Sequence, residues 1–120
     1  MIETVIAIGS VPLTPYSTPS TVEVPEAIAP YLKEHDALLL QNHGALTVGC
    51  DVMTAYYHME TVELFAKISL TAHLLGGAKE IPKKQIYKLL DLRNSYYHVT
   101  GRHPGYKKYN KTSGLIKRID

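Results

Sequence analysis

Cysteine occurs once in this 120-residue chain, at Cys50, and tryptophan not at all. A single thiol excludes an internal disulfide framework and fits a reducing, cytoplasmic setting, with Cys50 read as a small buried apolar residue. An excess of one charge is missing too. Thirteen basic residues against 11 acidic ones leave a formal net charge of +2, which implies no general attraction to nucleic acid or to a membrane surface. No apolar run approaches the ~18 residues that a spanning helix needs. The opening, Met1 to Gly9, lacks the basic start and long apolar core of a signal peptide. What is present, 45% hydrophobic residues in a chain of this length, suffices for one globular domain with a core. Phenylalanine occurs once but tyrosine nine times, and the aromatic content gathers towards the C-terminus.

The stretch Ala37 to Gly49 organises the rest. Ala37-Leu38-Leu39-Leu40 is a short apolar run bounded by turn residues, the pattern of a strand covered on both faces. Gln41-Asn42-His43-Gly44 follows, and Ala45-Leu46-Thr47-Val48 reads as a second strand. Gly44 allows a sharp turn with φ > 0 if needed. A histidine at the end of a rigid strand is aimed by its scaffold, which suits a metal ligand. Equally, it suits a hairpin corner in which His43 only bonds backbone carbonyls, since one histidine is not a metal site.

Around this centre, Ile2 to Ile8 reads as an apolar strand. Val11 to Thr21 holds Pro12, Pro15 and Pro19 and must be extended or turning. Ser20 or Thr21 can cap a helix over Val22 to Glu34, with Pro30 expected to kink it or end it early. Asp51 is a suitable N-cap for a long helix, Val52 to about Leu75, with Ala55, Met59, Val62, Ala66, Ser69 or Leu70, and His73 or Leu74 facing inward. Gly76-Gly77 closes it. His58, Glu60, Glu63 and His73 lack metal-ligand spacing and read as a solvated face with one buried acid. Pro82 opens a last helix to about Asn94, with Ile86, Leu89, Leu90 and Arg93 on its apolar face. From Ser95 the chain turns rich in Tyr, Lys, Arg and His, which reads as a tail packing on a neighbouring subunit or, less economically, as a nucleic-acid contact.

The order Pro15-Tyr16-Ser17-Thr18-Pro19-Ser20-Thr21, a helix, then Leu38 to Gly49 with its Asn42-His43-Gly44, then a long helix with Ala55 and Glu63, resembles the class II aldolase/adducin family. The likeness runs from about Val11 to about Tyr97 and is nearest to the L-fuculose-phosphate aldolase type. It implies a three-layer α/β/α sandwich with a mostly antiparallel sheet, incomplete here. It also implies a homotetramer with active sites at subunit interfaces. Zinc in that family is held by three histidines, two in a His-x-His pair and the third in the Asn-His-Gly element, here His43. A tyrosine ending the last helix reaches a neighbour's site, which assigns Tyr96 a catalytic role, with Tyr97 as the alternative. This chain contains no His-x-His, and neither the phosphate-binding turn nor the catalytic acid. It therefore reads as residues 1–97 of a C-terminal half-domain followed by a tail at 98–120. Where relatives have Pro-Gly-Thr, this chain has Pro19-Ser20-Thr21.

The resemblance implies, for the complete protein, a zinc-dependent lyase cleaving a ketose 1-phosphate to dihydroxyacetone phosphate and an aldehyde. The alternatives are a non-catalytic, adducin-like assembly domain and a pentulose-phosphate 4-epimerase. The expected partners are a sugar phosphate and further copies of the chain, without nucleic acid or membrane.

Overall fold

The computed structural model describes residues 1–104; of the tail expected at 98–120, the part beyond residue 104 lies outside the described residues. The architecture is α/β. Helix α1 (Ile2–Ala7), strand β1 (Leu13–Thr14), helix α2 (Glu23–Ile28) and a 3-10 turn (Tyr31–Lys33) lead into strands β2 (Ala37–Leu40) and β3 (Gly44–Thr47). Helices α3 (Val52–Leu74) and α4 (Lys83–Ser95) complete it.

β2 is the middle strand of a small mixed sheet. It pairs in parallel with β1, Leu13 against Leu39, and antiparallel with β3, Leu40 against Gly44. Ala37 and Leu38 are buried, and Ala37 packs with Ile8 and Val62 in a compact core flanked by Ala7, Val11 and Ala45. Leu39, however, is 39% exposed. The expected covering of both faces holds only at the start of the strand.

Of the strand expected over Ile2 to Ile8, the six residues Ile2–Ala7 form a helix instead. Their apolar side chains suggested a strand, yet Thr4 and Ile8, one helical turn apart, are the buried pair. Gly9, at φ +72°, closes the helix in the left-handed region, its N–H donating to Thr4 O at 2.8 Å. The helix over 22–34 ends early, as Pro30 required, and the chain continues as the 3-10 turn. No side chain caps α2 at its N-cap, Val22. Thr21 serves one residue away, accepting from Glu23 N–H at 3.2 Å and donating to Thr18 O at 2.7 Å. Glu23 closes the loop by accepting from Thr18 N–H at 2.8 Å, which holds its carboxyl below the usual range.

Asp51 caps α3 as expected, its carboxylate accepting from Thr54 N–H at 2.7 Å. Of the expected inner stripe, Ala55, Met59 and Val62 do face the body. Ala66, Ser69, Leu70, His73 and Leu74 are exposed. The reason is length: 23 helical residues span about 34 Å, while a four-residue strand spans about 13 Å. Gly76 and Gly77, at φ +102° and +100°, terminate the helix.

Candidate functional site

The β2–β3 connection is a three-residue loop, Gln41-Asn42-His43, closed by His43 N–H donating to Leu40 O at 3.0 Å. Asn42 takes the left-handed conformation, φ +56°, that asparagine tolerates better than most residues. Gly44 sits at φ +142°, with open space where a Cβ would lie. Backbone conformation alone, not crowding, calls for glycine there. The loop lifts His43 into solvent at the rim of a groove of about 620 Å³. Leu13, Leu39 and Ala45 from the sheet and Met59 and Val62 from α3 floor it, and Glu63 faces it from the helix.

Glu63 is exposed and pairs with Lys67 at 2.7 Å. That hydrogen bond and charge hold its carboxyl below the usual range. Glu60 accepts from the Tyr56 hydroxyl at 2.8 Å, which raises the phenol above its ordinary value. His58 departs from the solvated face expected of it. It is buried, and its Nδ1–H donates to Val48 O at 2.8 Å, so a carbonyl fixes its tautomer. The buried acid is not on α3 at all but is Asp36. Cys50 is exposed, not buried, with Sγ 3.6 Å from Asp51 Oδ2 and 3.4 Å from Thr54 Oγ1. It sits on the loop entering α3, one residue before the cap, where hydroxyl and carboxylate neighbours displace the apolar packing it was assigned.

A zinc centre needs several donors converging on one point. Among the described residues no three His, Cys, Asp or Glu side chains gather to hold a metal. His43 offers one imidazole, so these residues do not fit a complete zinc site by themselves. Tyr96 lies at the end of α4, exposed and edge-to-face with Tyr97 at 5.1 Å between ring centres. It is not among the residues lining the His43 groove.

A second polar centre escaped the sequence reading, which gave Asp36 no role. Asp36 is 4% exposed, and its carboxylate accepts from Arg102 N–H at 2.7 Å and Arg102 Nη1 at 3.3 Å. Arg93, buried on α4, faces the same carboxylate. Burial pulls its guanidinium below the ordinary value and Asp36 opposes that shift. The one available signal was Arg93 itself, a cation on an apolar helix face.

A family model described as "Class II Aldolase and Adducin N-terminal domain" matches residues 1–70. The rhamnulose-1-phosphate aldolase of Bacteroides thetaiotaomicron is 33% identical over 64 residues, 53% of this chain and 24% of that protein. The L-fuculose phosphate aldolase of Escherichia coli O6:H1 is 37% identical over 63 residues, 52% of this chain and 29% of that protein. Among solved structures, YgbL of Klebsiella pneumoniae, described as an aldolase/epimerase/decarboxylase, superposes with a TM-score of 0.63 at 27% identity. That match covers 74% of this chain and 42% of YgbL. The chain thus spans less than a third of the length of these two curated relatives. The fold is class II aldolase-like, with the helices set around a small mixed sheet. With its Asn42-His43-Gly44 turn inside the matched residues, the chain belongs to the class II aldolase/adducin family.

Proposed function

We propose that this chain supplies the histidine-bearing part of a zinc-dependent sugar-phosphate aldolase. The reaction is retro-aldol cleavage of a ketose 1-phosphate to dihydroxyacetone phosphate and an aldehyde. The observation that carries the reading is His43, raised by the β2–β3 turn to the rim of a groove in a chain of this family. His43 is one metal donor, and the others come from polypeptide outside the residues described here. Tyr96 is the catalytic residue offered to a neighbouring subunit's site, which its exposure at the end of α4 supports. The working protein is a cytoplasmic homo-oligomer, a tetramer by family habit. Residues 1–97 form the family unit and 98–120 an appendage.

The test is a chimera in which residues 1–70 of this chain, the part matched by the family model, replace their counterparts in the E. coli L-fuculose phosphate aldolase. Zinc is measured by elemental analysis, and L-fuculose 1-phosphate cleavage by a coupled assay for dihydroxyacetone phosphate. The chimera should hold about one zinc per chain and cleave substrate, and His43→Ala should lose at least ~100-fold in activity together with the zinc. Unchanged zinc in the His43→Ala chimera would remove the ligand role. A folded, zinc-free, inactive chimera with intact His43 would favour the assembly reading. The likeness to YgbL supports running the same assay with a pentulose phosphate and a 3-oxo acid phosphate, to detect epimerisation or loss of carbon dioxide.

A further inference from the structure

The family match ends at residue 70, yet the chain beyond α4 returns to the centre of the fold. It reverses at His98, φ +51°, where Val99 N–H donates to Arg93 O at 3.1 Å. Arg93 Nη2 then donates to Thr100 O at 3.2 Å and, less closely, to Gly101 O at 3.5 Å. Gly101, φ +98°, passes so near Asp36 that a Cβ on it would lie 2.5 Å from Oδ2. Arg102 binds Asp36 through both its main chain and its guanidinium. His103 Nε2 donates to Val5 O at 2.7 Å, and Pro104 is buried against Gly9.

Asp36 is held from two sides. Its carboxylate grips this strap, while its main-chain O accepts from Val48 N–H at 2.9 Å. Asp36 directly precedes β2 and Val48 directly follows β3, so that bond is the base of the hairpin carrying His43. Val48 O in turn accepts from the buried His58. With the strap away, the carboxylate loses two charge-assisted hydrogen bonds, and the base keeps only its main-chain bond. His98, which turns the chain into the strap, is held at φ +51°, a left-handed conformation whose cost opposes closure. The strap forms one wall of a cavity of about 260 Å³ whose other wall is Asp36, Gly49, Cys50 and Thr54.

We propose that residues 99–104 are a latch: closed on Asp36, they hold the base of the β2–β3 hairpin and thereby set how freely the His43 turn moves. The latch stands on these contacts whether or not His43 binds metal.

Hydrogen–deuterium exchange on the full chain tests it, comparing wild type with Gly101→Ala, whose methyl must push the strap off Asp36. Peptides covering residues 36–48 and 99–103 should exchange about tenfold faster in the variant, while 56–66 in α3 keeps its rate. Arg102→Ala, which leaves the backbone intact, should act in the same direction but less, and serves if Gly101→Ala fails to fold. Acceleration of 99–103 alone would overturn the latch, because the strap would then open without touching the hairpin. Equal acceleration of α3 would overturn it as well, since the effect would be one of global stability. No change in any peptide of either variant would overturn it too, because the contacts with Asp36 would then restrain neither strap nor hairpin.

Discussion

Ser20 shows at a single position how chemistry and conformation are traded. The family resemblance implies glycine at this position, and Ser20 adopts φ +64°, a left-handed conformation that costs a residue with a Cβ roughly 1–2 kcal/mol. The turn survives because Thr21, Thr18 and Glu23 bond across it. Replacing Ser20 by glycine should therefore stabilise the chain by about 0.5–1 kcal/mol, after the extra chain entropy of glycine is subtracted, as read from the urea midpoint. A valine there should lower the midpoint instead. The departure was legible in the sequence as Pro-Ser-Thr; how the backbone would resolve it was not, because torsion preference at one residue is decided by its neighbours' hydrogen bonds.

Elements were legible in proportion to the local signals that frame them. β2, β3, α3 and α4 were all anticipated, since Asp51, the Gly76-Gly77 pair, Pro82 and the Asn42-His43-Gly44 turn mark their ends. Pro30 likewise announced the early end of α2. Helix α1 was misread because six residues carry too little periodicity to tell an apolar helix from a strand. The inward stripe of α3 was right for its first half and wrong beyond it, because periodicity says which side is apolar and not how far the partner extends. The cap makes its own prediction. Asp51→Ala should lower the thermal unfolding midpoint of the chain, and Asp51→Ser should largely restore it, since serine can also accept from Thr54 N–H. Because that hydrogen bond holds the Asp51 carboxyl below its ordinary value, the stabilisation is present at neutral pH and fades on acidification through the carboxylate range.

Across the whole molecule, the candidate site divided sharply. His43 and its turn could be recognised from a contiguous motif, whereas Asp36, Arg93, Arg102 and His103 meet only because α4 and the strap fold back on α1 and β2. No spacing in the sequence encodes that meeting. It carries a pH dependence through His103, whose imidazole burial holds below its ordinary value of about 6.5, with the Arg93 and His35 charges acting in the same sense and the bond to Val5 O opposing them. A depressed histidine binds fewer protons folded than unfolded. Stability should therefore be full above about pH 6.5 and fall as the pH is lowered through the depressed value. Urea midpoints between pH 7.5 and 5 should show a steeper acid loss in wild type than in His103→Gln, and parallel curves would assign the loss to other groups.

The bond between His103 and Val5 joins residues 98 positions apart, and the grip of Arg102 on Asp36 spans 66. During synthesis, α1 and β2 leave the ribosome long before the residues that fasten them. The hairpin and α3, being local, can form early, whereas the bond that fastens Val5 must wait until His103 has been made. A stall between α4 and His103 would therefore leave Val5 and Asp36 without the contacts that fasten them.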